Sequence, residues 1–227
     1  MARFADMLAN HRLSLIMSLP ANDPALFRAA FEEGADVVKV HINLEHRASG
    51  THFGSLDQER DVLEEMLALA KGPVGLVPGA SVETAARDLP LAAEMGFDFF
   101  SIYAHHMPVA VAAPDKEWMI ACDGTYSLDE VKAMEAIGAN VVEASIVPGT
   151  EYGCPLCARD LLRYHALTSA TKLPVVVPTQ RFIRPQEVQA LAQTGVKGLM
   201  IGSVVTGRTE ESIRQAVNAF RNAIDRM

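Results

Sequence analysis

The chain has 227 residues, 49% of them hydrophobic and 21% charged, with 20 basic against 28 acidic side chains. This composition excludes disorder and collagen-like structure. A net charge of −8 with no dense basic run argues against nucleic acid or an anionic membrane as the main partner. No uninterrupted apolar stretch of about 18 residues is present, so no transmembrane helix is expected. The first six residues lack the apolar core of a signal peptide. Cys122, Cys154 and Cys157 are too few, and odd in number, for a disulfide scaffold. The expectation is a soluble cytoplasmic protein with one domain over residues 1–227.

A β-rich run, a loop and an amphipathic stretch recur at a spacing of about 25 residues. The predicted strands are 13–19, 36–43, 73–78, 98–105, 117–123, 140–147, 174–180 and 198–203. The predicted helices are 24–33, 56–70, 81–95, 127–137, 158–171, 185–194 and 209–224. Ser81, Ser127 and Thr209 read as helix starts, and Ser127-Leu-Asp-Glu130 carries a capping-box pattern. Gly34, Gly96, Gly138 and Gly195 each stand between a helix and the next strand, where a left-handed C-cap is needed.

Strand–helix alternation implies a parallel sheet. Eight units imply a single (β/α)8 TIM barrel. The fourth unit is weak. Pro108 and Pro114 interrupt the linker 106–116, so the fourth helix is expected to be short or missing. An open doubly wound sheet is the alternative, but no Gly-x-Gly-x-x-Gly follows the first strand.

Strands covered by helices are apolar on the helix side. Alternate polar positions therefore face the barrel interior or its mouth. In the second strand Lys39, His41 and Asn43 share that face. In the fourth it is Ser101, Tyr103 and His105, and in the sixth Glu143 and Ser145. A lysine and a glutamate inside a barrel are costly unless paired. They form either a structural ion pair or the centre of a site at the C-terminal strand ends, where barrel enzymes keep their chemistry. Lys39, Glu143, Asp123 and His41 are the candidate catalytic groups. A desolvated lysine beside a carboxylate suits acid–base work or a Schiff base.

The loop 44–55 is long and polar, as binding loops often are. It adds Glu45 near Asn43, with His105 and Ser145 further substrate-contacting candidates. A metal site built from His41, Glu45 and His105 is not demanded by the spacing, and no metal or organic cofactor is expected. Cys154-Pro-Leu-Cys157 lacks a second pair for zinc and reads as structural or incidental.

The last quarter is the most specific. The seventh strand ends in Thr179-Gln180-Arg181, and the eighth ends in Gly202-Ser203. Loops after these two strands, with a helix N-terminus after the last, form a phosphate cradle in many such barrels. Thr179, Gly202 and Ser203 are the candidate phosphate contacts, with Gln180 and Arg181 beside them.

The segment PVVVPTQRFIRPQEVQALAQTGVKGLMIGSVVTG resembles the corresponding stretch of the ribulose-phosphate-binding barrel superfamily. The order of elements, with the LSLIMSLP opening, is most similar to the N-acetylmannosamine-6-phosphate 2-epimerase group. That group implies a lysine ending the third strand and a glutamate ending the seventh. This chain has Val77-Pro78-Gly79 and Pro178-Thr179-Gln180 there.

The expected partner is a small phosphorylated metabolite, and a homo-oligomer is left open. The expected activity is an isomerase or epimerase moving a proton next to a carbonyl. A Schiff-base lyase using Lys39 and a non-catalytic phosphometabolite-binding barrel are the alternatives.

Overall fold

In the computed structural model, which describes residues 4–109 and 116–227, the chain begins with α1 (Phe4–Asn10), β1 (Ser14–Ser18), α2 (Pro24–Glu32) and β2 (Val37–His41). A hairpin of β3 (Leu44–His46) and β4 (Thr51–Phe53) follows, then α3 (Leu56–Ala68), β5 (Val74–Val77), α4 (Val82–Glu94) and β6 (Phe99–Tyr103). The rest is β7 (Glu117–Cys122), α5 (Leu128–Ala133), β8 (Val141–Ala144), α6 (Ala158–Ala170) and β9 (Val175–Pro178). The chain then runs through α7 (Val188–Ala192), β10 (Gly198–Ile201), α8 (Ser203–Thr206) and α9 (Glu210–Asp225).

Eight strands close into a parallel barrel in the order β1-β10-β9-β8-β7-β6-β5-β2. Each lies within a run expected from the sequence, so the (β/α)8 reading holds. Two expected helices are shorter than their runs. α5 gives way to a 3₁₀ turn, Met134–Ile137, and another, Pro185–Glu187, precedes α7. The expectation of a short or missing fourth helix falls largely on residues 110–115, outside the described residues. The described part of that linker begins with a 3₁₀ turn, Ala104–His106.

Period 2 sorts each strand into a helix-facing and an interior set. The interior is layered. Ile16, Val37, Phe99, Met119, Val141, Val176 and Met200 form an apolar cluster inside the barrel. Two residues further along, Ser18, Lys39, Ser101, Ala121, Glu143, Pro178 and Gly202 form the next ring, which faces a cavity at the C-terminal mouth.

The opposite end is plugged by α1, which the sequence periodicity did not reveal. Phe4 and Leu8, one turn apart on α1, complete the interior cluster. Phe4 stacks on Phe99 with ring centroids 3.9 Å apart.

The recurring phrase of glycine and two residues before a strand has a physical purpose at this base. The four glycines take φ between 93° and 102°, which turns the chain off each helix. The second residue beyond the glycine then clips the preceding strand. Asp36 accepts from the Leu15 amide at 2.7 Å, Asp98 from Val74 at 2.8 Å and Asn140 from Trp118 at 2.8 Å. Each also donates its own amide back to that residue's carbonyl. Lys197 breaks the series: its ammonium reaches the Ala9 carbonyl instead.

Gly75 is required by space. A Cβ there would lie 2.1 Å from the Phe99 ring. That ring is held by Phe4 and cannot swing away. Gly75→Ala will therefore destabilise the fold by about 1–3 kcal/mol through overpacking, measured as a lower midpoint in urea. An unchanged midpoint would mean that the Phe4–Phe99 stack is not fixed.

Candidate functional site

The floor of the mouth is an ion pair. Lys39 Nζ lies 3.0 Å from Glu143 Oε2, with both side chains more than nine-tenths buried. Ser101 donates to the same oxygen at 2.8 Å, and Ser145 donates to Oε1 at 2.8 Å. Burial alone would raise the Glu143 carboxyl. Lys39 and the two hydroxyls outweigh burial and hold it below the ordinary carboxylate range. A charge buried this way is stable only with its partner. Removing one member of such a pair costs about 3–5 kcal/mol.

Above the floor lies a cavity of ≈ 680 Å³, a size suited to a small metabolite. One wall is aromatic and imidazole-rich. The His41 ring packs 4.8 Å from His46 and 4.9 Å from Phe53 of the hairpin. Its Nε2 meets Ser18 Oγ at 3.3 Å, while the buried Nδ1 has no partner. Burial pushes His41 well below the usual histidine range, helped by His46 and Lys39. Burial likewise brings His46 down to about 4. Both rings are neutral at neutral pH.

The opposite wall carries phenols and amides. Burial raises the Tyr103 phenol above its ordinary range. Gln180 accepts from the Val147 amide at 3.0 Å and donates to the Tyr152 hydroxyl at 2.6 Å. His105 and His106 both border the cavity, because the 3₁₀ turn breaks the alternation that set them on opposite faces. His105 Nδ1 meets the Tyr126 hydroxyl at 2.9 Å. Asp123 is at the rim, where Thr125 donates to it from its amide and its hydroxyl. Glu45 is also at the rim, paired with His52 at 2.6 Å, both side chains largely exposed.

Two expected contacts lie elsewhere. Asn43 is not on the cavity wall. Its left-handed backbone, φ 55°, turns its amide outward, donating to the Pro78 carbonyl and Asp88. Arg181 is buried behind the wall, 3.0 Å from Asp160 and paired with Glu151. It braces the loop after β8 and does not reach the cavity.

At the phosphate end, Thr179 Oγ1 accepts from the Gly202 amide at 3.0 Å. The amides of Ser203 and Val204 follow in the first turn of α8, where a helix leaves N–H groups without intrahelical partners. The Ser203 hydroxyl is buried without a partner, and Ser203 itself is off the cavity wall, which Gly202 and Val204 border. Gly202 has an extended backbone, φ −151°. A Cβ there would meet the nearest atom, Ser18 O, at 3.5 Å, ordinary contact. Neither its conformation nor the protein packing requires a glycine.

The loop 44–55, expected to contact substrate, does border the cavity, through His46 and Arg47 among others, which the sequence did not single out; Tyr152 was missed. Tyr152 and Arg47 sit on loops whose path follows no period, and His46 ends β3, too short a strand to show alternation. Ser18, Ser101 and Tyr103 were on the inward faces and could have been found by extending the alternation. Among the described residues no three His, Cys, Asp or Glu side chains gather as a metal would need. Cys154 and Cys157 are free and exposed on the loop after β8.

No family model matches the chain, and no curated protein matches it. Solved structures do. Thiamine phosphate pyrophosphorylase from Pyrococcus furiosus is 19% identical, covering 95% of this chain and 96% of that one, with a TM-score of 0.67. The tryptophan synthase complex from the same organism is 17% identical over 92% and 98%, with a TM-score of 0.70. Tryptophan synthase from Mycobacterium tuberculosis is 14% identical over 99% of each chain, with a TM-score of 0.75. At these identities the likeness is one of fold. The chain is a TIM barrel, and nothing in these neighbours singles out the epimerase group.

Proposed function

We propose that this protein is an enzyme acting on a small phosphorylated metabolite, by proton transfer next to a carbonyl. The observation that carries the reading is the Lys39–Glu143 pair, buried at the floor of an otherwise open cavity at the catalytic end of the barrel. A buried ion pair is a poor device for stability alone, and this one stands at the end of the barrel where such folds keep their chemistry. Lys39 donates to the carbonyl oxygen and to the negative charge that develops there. Glu143 holds Lys39 in place. The neutral His41 ring and the rim carboxylate of Asp123 carry the proton. A Schiff base comes second, since Lys39 would have to leave Glu143 to attack.

The phosphate lies against Thr179, Gly202 and the first amides of α8. Gly202 supports this, because the space over it is the one remaining reason for a residue without a side chain. The barrel neighbours include an enzyme named for a phosphate compound, thiamine phosphate. A cytoplasmic location belongs to the same proposal and suits exposed free thiols.

Ligand class is tested by thermal shift, pairing each phosphorylated sugar with its dephosphorylated form. A ligand at 100 times its dissociation constant adds about 2.7 kcal/mol, or a rise of about 5–10 °C for a chain of this size. Phosphorylated members alone should give it. Equal shifts from both members would remove the phosphate reading.

With a substrate in hand, Lys39→Met will lower kcat at least about 10²-fold, as loss of a charge-stabilising donor does. The double variant Lys39→Met/Glu143→Gln removes both charges and will restore stability without restoring turnover. Turnover in the double variant would make the pair structural.

The imidazoles predict a pH dependence of stability. Unfolded histidine titrates near 6.5, and His46 is brought down to about 4 in the folded chain. Between those values the unfolded chain binds more protons. Stability is complete above about pH 6.5 and is lost as pH falls toward 4. His46→Asn will flatten that fall in melting temperature. An unchanged slope would mean that His46 is solvated.

A further inference from the structure

The structure assigns a second oxyanion site to Arg47, at the roof of the cavity, so that the substrate has an acidic group at each end. This deepens the reading above and rests on it for the first, phosphate-bearing end.

In the ring β1-β10-β9-β8-β7-β6-β5-β2, β2 and β8 stand four places apart and so face each other across the barrel. The Lys39–Glu143 pair joins these two strands at the floor. Arg47 joins the same two sides at the roof. It sits at the turn of the β3–β4 hairpin, which follows β2, and reaches the loop after β8. Its guanidinium carbon lies 6.0 Å from the centre of the Tyr152 ring. It also passes so close to Gly149 that a Cβ there would meet its Nη1. The cavity is therefore spanned twice by a cation from the β2 side, once below and once above.

The two cations differ in what they lack. Lys39 has its carboxylate. Arg47 lines the cavity, and no carboxylate of the described residues lies within ion-pair distance of it. The nearby acidic groups are committed elsewhere: Glu151 to Arg181, and Glu45 to His52. The planar fork of an arginine suits two oxygens of one carboxylate or phosphate. An aromatic face beneath it fixes the guanidinium and leaves its edge free to donate. The hairpin turn places this edge at the opening, over a wall of neutral imidazoles that neither attract nor repel an anion.

The substrate class that fits is a small metabolite with a phosphate for Gly202 and Thr179 and a second oxyanion, carboxylate or phosphate, for Arg47. The reactive carbonyl would lie between them, over Lys39. The hairpin then acts as a clamp whose grip depends on the second charge.

The test needs no identified substrate. The full chain, labelled with ¹⁵N, is titrated with inorganic phosphate and, separately, with acetate, following amide and arginine Nε signals. Two saturable sets of shifts are expected with phosphate: one on Ser203 and Val204, the other on Arg47 Nε with Gly149 and Tyr152. Arg47→Met should raise the dissociation constant of the second set at least tenfold and leave the first unchanged, with Arg47→Lys in between. A second set that responds to acetate as well identifies a carboxylate-accepting head. One that responds to phosphate alone identifies a second phosphate. Saturation at Ser203 and Val204 with only linear drift at Arg47 overturns the second site and leaves the phosphate reading standing. Saturation at Arg47 alone supports the second site and overturns the first. Saturation at neither overturns both.

Discussion

One buried ion pair organises the upper half of this barrel. Lys39 and Glu143 come from strands on opposite sides and meet across the interior. Neither charge is tolerable there alone. Their neighbours are therefore constrained in kind: Ser101 and Ser145 supply the hydroxyls that occupy the carboxylate. The apolar layer beneath has no polar group to offer, which places the pair at the boundary between packed interior and cavity. From that boundary upward most inward strand positions are polar, small or aromatic, with Val77 of β5 an exception, and ligand space replaces core.

The division between ends follows from the same constraint. Below the pair, the barrel is closed by Phe4, Leu8 and the side-chain clips of Asp36, Asp98 and Asn140. Above it, the wall depends on loops after the strands: the hairpin after β2, the 3₁₀ turn after β6, and the segment after β8 braced by Arg181. Substitutions at the base are felt as stability, and those at the mouth as recognition.

Much of this was legible in the sequence where a period governs it. Strand alternation put Lys39, Glu143, Ser145 and His41 on inward faces, and the structure has them there. It could not give depth, because period 2 says which way a residue faces and not how far along the axis it lies. Alternation failed where the strand ended. His105 and His106 share a wall through a 3₁₀ turn, and Asn43 swings out on a left-handed backbone. Arg181 was misplaced for another reason: its partners, Asp160 and Glu151, come from distant sequence, and pairing across 21 or 30 residues leaves no local mark. The hairpin after β2 read as a loop because its strands have three residues each, too few to show alternation. α1 was hidden similarly, since only two of its side chains are buried.

The closure of the barrel has a consequence for how the chain is made. β1 pairs with β10, Ser14 opposite Gly198. β1 therefore leaves the ribosome long before β10, the partner it waits for. Phe4 and Leu8 have the same problem, since the surfaces they cover belong to strands as late as β9 and β10. Until then the Phe4–Leu8 face of α1 and an open parallel edge stand exposed, a state of high contact order that folds slowly and invites association. The acid-rich surface, with its net charge of −8, keeps unfinished chains apart during that interval.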